Sequence, residues 1–137
     1  MSDIERIPTN ILGLDESMEG GIPQGHIVIV AGASGAMKSS VTFSQLYNAV
    51  LYGETSGIYV TLEQGKDSLR AHMSNMGMNV DDARVRNRIA IIDLADLRVQ
   101  LDEQGMSKRI DWMGQLIKQL TSYYIFIIAI IRKINFF

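Results

Sequence analysis

The sequence contains no cysteine. That excludes a disulfide framework and any thiolate metal site, and it suits the reducing cytoplasm, the compartment expected for this chain. An excess of charge is also lacking. The formal net charge is -2, which makes no electrostatic case for a nucleic-acid partner. No apolar run is long enough for a membrane. The one candidate, Tyr123 to Ile131, has nine apolar or aromatic residues, whereas a spanning helix needs roughly 20, so a buried strand is expected there instead. Met1 to Arg6 has no basic head and no apolar segment behind it, so no signal peptide is expected. Histidine occurs only at His26 and His72, and no Ser/His/Asp or His/Glu/His constellation stands at a useful spacing. There is no internal repeat and no low-complexity linker.

What is present reads as one domain over residues 1–137. Apolar residues make up 47% and charged residues 20% of the chain, an ordinary globular mix. The eight methionines read as core filler. Ile7-Pro8-Thr9 is extended, because a residue before proline avoids the helical region. Asn10 to Met18 has room for one short helix. Glu19-Gly20-Gly21-Ile22-Pro23-Gln24-Gly25 is a loop, either a plain turn feeding the next strand or a family-specific element. Ile27 to Val30 is β-branched without alternation, which predicts a strand buried on both faces, as at the centre of a parallel sheet.

A helix is expected from Ser40 to about Tyr52, with Val41, Phe43, Leu46, Tyr47, Val50 and Leu51 inward and Gly53 as its C-cap. Gly57 to Leu62 reads as a second buried strand ending at Glu63. Asp67 to Met76 is helix-like, opened by Asp67 or Lys66 and closed by Gly77. Val80 to Arg88 reads as a solvated approach to a strand, with a possible phosphate or partner contact at Arg84, Arg86 and Arg88. Ile89 to Leu94 is a third strand, Asp96 to Gln104 a polar connection, Ser107 to Leu120 a helix, and Tyr123 to Ile131 a fourth strand. Strands alternating with helices predict an α/β fold with a mostly parallel central sheet flanked by helices.

The chemistry centres on Gly32-Ala33-Ser34-Gly35-Ala36-Met37-Lys38-Ser39. Strand, glycine loop, Lys-Ser and helix follow the order of a phosphate-binding P-loop. Backbone N–H groups in such a loop point at one anion, and the helix N-terminus adds its positive dipole. Gly32 and Gly35 allow the turn. Lys38 can reach the β- and γ-phosphates, Ser39 can ligate Mg²⁺, and Ser40 can contact the α-phosphate. Met37 stands where the pattern G-x-x-x-x-G-K-[ST] has its second glycine. A helical backbone is expected for it, with the side chain turned away and binding retained, since the anion site is mostly backbone. The opposing reading is a decayed loop that binds nucleotide poorly. Glu63, at a strand end, is either a surface acid or the group that orients water for attack on a γ-phosphate. Gln64 beside it could hold the same water.

Four separated segments resemble the KaiC-like branch of the RecA-type ATPases: Ile7 to Glu16, Gly20 to Gly25, the P-loop, and Tyr59-Val60-Thr61-Leu62-Glu63. The resemblance covers about residues 4 to 120. It implies a RecA-like ATP-binding core, assembled as a homo-oligomeric ring with nucleotide between subunits, and it favours Glu63 as the catalytic glutamate. Family members often carry a pair of acids here, and in this chain the second is Gln64. The resemblance also implies an aspartate that supports Mg²⁺ at the end of the strand after the Ser107–Leu120 helix. No acid occurs after Asp111.

Residues 123–137 form an atypical apolar tail of Tyr, Ile, Phe, Ala, Arg, Lys and Asn only. These residue types have mostly AT-rich codons, so loss of the natural reading frame near Ser122, and a core incomplete at the C-terminus, are expected; resequencing across that point tests it. With the metal's acid missing, ATP and Mg²⁺ binding is expected more than turnover. Two alternatives stand beside this: a non-catalytic module in which nucleotide controls association with a protein partner, and a recombinase-like DNA-binding ATPase. The second is disfavoured by the acidic balance and by the lack of an aromatic and basic strand-binding stretch.

Overall fold

The structure is a computed structural model that describes residues 4–61, 64–103, 125–127 and 130–132. The chain opens with β1 (Arg6–Ile7), α1 (Leu14–Ser17) and β2 (Ile22–Pro23). β1 and β2 pair antiparallel. The close approach depends on Gly21, which has φ +126° and where a Cβ would stand 2.3 Å from the Ile7 carbonyl oxygen. The Arg6 guanidinium then locks this unit by donating to the Met18 and Gly21 carbonyls and to Glu19. The Glu19–Gly25 segment is therefore a built corner.

After it come β3 (Ile29–Ala31), α2 (Lys38–Tyr52), β4 (Ser56–Thr61), α3 (Lys66–Asn75), β5 (Ile89–Asp93) and α4 (Leu94–Glu103). The alternation of strand and helix follows the sequence closely. β4 and β5 pair parallel, from Gly57 beside Ile89 to Thr61 beside Asp93. Two short strands complete the pairing: β6 (Ile125–Ile127), antiparallel to β3, and β7 (Ile130–Arg132), antiparallel to β4. Of the strand expected over Tyr123 to Ile131, the described residues lie in β6 and at the start of β7. Ala31 lies opposite Ile125 and Ser56 opposite Arg132, so this stretch runs against the direction of β3 and β4.

The core sits between α2, β4 and α3. Phe43, Leu46, Tyr47 and Val50 of α2 meet Tyr59 of β4 and Leu69 and Met73 of α3. Phe43 and Tyr59 pack edge to face at 5.1 Å, the arrangement that aromatic quadrupoles favour. α2 is buried nearly all round, because Thr42, Gln45 and Ala49 are covered as well. Thr42 satisfies its hydroxyl by donating to the Lys38 carbonyl.

Several expectations are corrected. Val80 to Arg88 is not merely solvated, since Val80 and Val85 join the core, as does Met78 just before them. Arg88 donates to the Gly53, Thr55 and Arg84 carbonyls, and Arg84 pairs with Asp82. Both are committed to protein groups. Asp96 to Gln104, read as a connection, falls within α4 as far as Glu103. Its helix is started by the Asp93 carboxylate, which accepts the Ala95 and Asp96 N–H groups. The strand before the glycine loop is not buried on both faces either. Ile27 is 85% and Ile29 58% exposed, because among the described residues β3 has a hydrogen-bonded neighbour only in β6. The Ser107–Leu120 helix lies outside the described residues. Among the described residues no helix is long and apolar enough to cross a membrane.

Candidate functional site

The loop Gly32–Met37 joins the C-terminal end of β3 to the N-terminus of α2. Gly32 is needed for a close approach, because a Cβ there would meet the Ala36 Cβ at 3.3 Å and the Lys38 side chain at 3.8 Å. The Ala36 N–H donates to the Ala33 carbonyl at 3.2 Å, which closes the turn. Gly35 takes φ +79°.

Met37 does not have the helical backbone expected for it. It is the N-cap of α2, with φ 56° and ψ 26°, in the left-handed region. A glycine enters that region freely, whereas a side chain there costs roughly 1–2 kcal/mol. The pattern's second glycine is thus missing where the backbone calls for one, and the chain adopts the glycine conformation regardless. The Met37 side chain is exposed.

α2 begins with no side-chain cap and no acid in its first turn. The first N–H groups of a helix have no partner within it, and their dipoles add to positive potential at that end. The positive end of α2 is therefore left for an external anion. Lys38 adds a full charge. In this structure its Nζ donates to the Ala33 carbonyl at 2.7 Å, so the ammonium bridges the loop and retains N–H donors for another acceptor. Ser39 is half-buried and Ser40 is buried. The loop and helix start thus bring Gly32, Ala33, Ser34, Gly35, Ala36, Met37, Lys38, Ser39 and Ser40 into one continuous turn. Glu63 lies outside the described residues.

The residues fit a phosphate: a glycine turn, an uncapped helix start and an ammonium at one place. For a divalent cation the donor set is narrower. Among the described residues no group of three or more His, Asp or Glu side chains could hold a metal ion. If Mg²⁺ binds here with a phosphate, Ser39 is the described residue that would hold it through its hydroxyl, and the ion would supply charge neutralisation with few protein ligands.

Sequence reasoning gave no role to two groups around this site. The first is Tyr59, buried on β4 beneath α2. Burial pushes the ionisation of its phenol upward, and a hydrogen bond with the Ser39 side chain pulls the other way. A tyrosine pointing from a central strand towards the helix after the loop was the available signal. The second is Asp93, at the end of β5, whose carboxylate reaches the start of α3 as well as α4. An aspartate between a strand and a helical stretch is a cap signal in sequence. Its second partner, Lys66, lies too far along the chain to be read there.

The segment Ile7 to Glu16 is organised by Asp15. Its carboxylate accepts the Thr9 N–H and hydroxyl and the Asn10 N–H at 2.7–2.8 Å. Partial burial raises its pKa, but these donors outweigh that and hold it below the ordinary carboxylate value. Asn48 of α2 donates to the Thr9 carbonyl at 3.0 Å, so this unit is anchored to the helix that carries the loop.

A family model described as "ATPase: KaiC" matches residues 7–134. Most of the 123–137 tail lies inside that match. Among curated relatives, the chain is 37% identical over 90 residues to a UPF0273 protein of Thermotoga maritima, covering 66% of this chain and 37% of that one. It is 30% identical over 135 residues to a UPF0273 protein of Pyrococcus furiosus, covering 96% and 51%. It is 25% identical over 115 residues to the circadian clock oscillator protein KaiC of Prochlorococcus marinus, covering 80% and 23%. The chain spans about half or less of the length of these relatives. The glycine loop, the α/β alternation and a family match running over most of the chain agree, and the protein belongs to the KaiC-type ATPase family, with a RecA-like α/β core.

Proposed function

We propose that this chain binds ATP with Mg²⁺ through the loop Gly32–Ser39, a P-loop, and that the reaction of its lineage is ATP hydrolysis. The observation that carries this reading is the uncapped start of α2 facing a glycine turn bridged by Lys38. The loop and helix N–H groups receive the phosphates, Lys38 balances charge on the β- and γ-phosphates, and Ser39 touches the metal. Magnesium, when bound with the nucleotide, offsets the negative charge of the phosphate oxygens. Glu63 orients water in line with the γ-phosphate. The pattern of the family implies nucleotide between subunits of a ring, so a homo-oligomer belongs to this reading.

Turnover is expected to be weak, since the acid that supports magnesium in the family pattern has no counterpart after Asp111. Phosphate release from ATP by the purified chain tests this. Slow release that disappears in Glu63→Gln supports the assignment. Brisk release that survives Glu63→Gln refutes it. A second reading, nucleotide-controlled association with a partner, is favoured by the exposed Ile27 just before β3 and Ile29 on it. It predicts an ATP-dependent change in oligomer size without phosphate release. Sedimentation that is identical with and without ATP contradicts it.

A further inference from the structure

We propose that Tyr59 is a positioning residue for Ser39, holding its hydroxyl in the orientation that meets a phosphate-bound divalent cation. The part played by the cation rests on the nucleotide-binding reading above. Gly57, Tyr59 and Thr61 form the buried side of β4. In α2, Ser39, Phe43, Leu46 and Val50 follow one another at steps of four and three, so they share a face. The two faces meet in order. A Cβ on Gly57 would stand 2.1 Å from the Leu46 side chain. Tyr59 packs edge to face on Phe43, with ring centroids 5.1 Å apart. A step forward along β4 is thus a turn back along α2, and the next turn back is that of Ser39. There the phenol and the Ser39 side chain share a hydrogen bond.

Little else can serve this phenol. Tyr59 is 1% exposed, which excludes bulk water, and a buried tyrosine O–H needs a partner. Among the described residues, no buried side-chain nitrogen or oxygen lacks one. Thr42, also covered in α2, spends its hydroxyl on the Lys38 carbonyl. For Ser39 the same bond has a consequence. A serine side chain has several staggered rotamers, and the phenol selects among them. A hydroxyl both donates and accepts, so the bond leaves a lone pair on Ser39 Oγ for a cation carried by phosphate oxygens. Groups that orient a metal ligand in this way set its affinity. A phenylalanine would pack on Phe43 equally well, so the ring contact alone does not call for the phenol.

The test compares the wild type with Tyr59→Phe, Ser39→Ala and the double variant. In the ligand-free chain, NMR couplings between Hα and Hβ of Ser39 report its rotamer. One rotamer is expected in the wild type, and averaging over several in Tyr59→Phe. Calorimetric titration then gives ATP affinity in EDTA and in Mg²⁺. Tyr59→Phe is expected to leave the metal-free affinity within about twofold and to cut the gain from Mg²⁺ by about fivefold or more. Ser39→Ala cuts that gain at least as far. Added to Ser39→Ala, Tyr59→Phe costs nothing further, because it acts through Ser39.

A role that is only structural weakens metal-free and Mg²⁺-loaded binding equally, and that result overturns the proposal. So do averaged Ser39 couplings in the wild type, unchanged couplings in Tyr59→Phe, or a further loss in the double variant. If Tyr59→Phe fails to fold, the wild type decides. One Ser39 rotamer with an NOE from its Hβ to the Tyr59 ring supports the proposal, and averaging or a missing NOE refutes it. If the wild type binds no ATP, or binds it no better with Mg²⁺, the nucleotide reading fails by itself. The Ser39 couplings then decide the hold on its hydroxyl: averaging in Tyr59→Phe supports it and no change refutes it.

Discussion

At the scale of the residue, Met37 states the main tension in the loop. Its φ of 56° belongs to glycine, yet its side chain is exposed. The left-handed backbone costs roughly 1–2 kcal/mol. Part of that is returned because methionine has less freedom than glycine to lose on folding, an effect of about 0.4–1 kcal/mol. Met37→Gly should therefore raise unfolding stability by about 0.5–1 kcal/mol, read from urea denaturation. A loss of stability would show that the methionine makes a contact worth more than the strain. The sequence located this residue as the anomaly but assigned it the wrong backbone, because a missing glycine in a pattern does not disclose the φ that the glycine served.

Asp82 gives a second residue-scale prediction. The Arg84 side chain, then the Arg84 N–H, bond its carboxylate and hold it at about 2 instead of 3.8. A depressed carboxylate stabilises the fold above its unfolded pKa, and that contribution fades as the pH falls from about 4 to about 2. Arg84→Ala should return the Asp82 midpoint towards 3.8, followed by side-chain NMR. A midpoint that stays near 2 would remove the Arg84 side chain as the main cause. The pair is exposed, so only a small effect on stability is expected.

At the scale of the element, α2 is the member on which the rest depends. It carries the loop at its start, and Asn48 holds the N-terminal unit. Its Phe43 meets Tyr59, and Leu46 sits where a Cβ on Gly57 would fall, at 2.1 Å. Gly57→Ala must therefore displace a fully buried leucine and is expected to destabilise by about 1–3 kcal/mol. A thermal midpoint unchanged within error would mean that Leu46 has an alternative rotamer at no cost.

The elements differ in how far the sequence disclosed them. α2, α3 and the parallel pair β4–β5 were legible, since apolar spacing, Gly53 and Gly77 mark their bounds. α4 was not, because its start depends on a carboxylate at Asp93 rather than on an apolar stripe. Val80 and Val85 were missed as core, since isolated valines among arginines carry no period and are buried by what α2 and α3 bring to them. The Asp15 knot was quoted as a motif without its physical reason, which is three donors converging on one side chain.

At the scale of the whole molecule, β4 is well buttressed between β5 and β7, whereas among the described residues β3, in a separate sheet, pairs with β6 alone. The α2–β4–α3 core is closed, whereas Ile27 before the loop-bearing strand and Ile29 on it face solvent. The expectation of a strand buried on both faces came from composition, and composition describes the sheet a strand is suited to, not the neighbours it has. β6 and β7 run antiparallel to β3 and β4. The loop, by contrast, is held by α2 and by Tyr59 beneath Ser39, so its geometry does not depend on the exposed face of β3.

The most direct measurement is calorimetric titration of the purified chain with ATP, with and without Mg²⁺, repeated on Lys38→Ala. The account predicts saturable binding that Mg²⁺ strengthens and that Lys38→Ala weakens by about tenfold or more, the scale of one charge-assisted phosphate contact. No saturable binding, or binding that Lys38→Ala leaves unchanged, would contradict it.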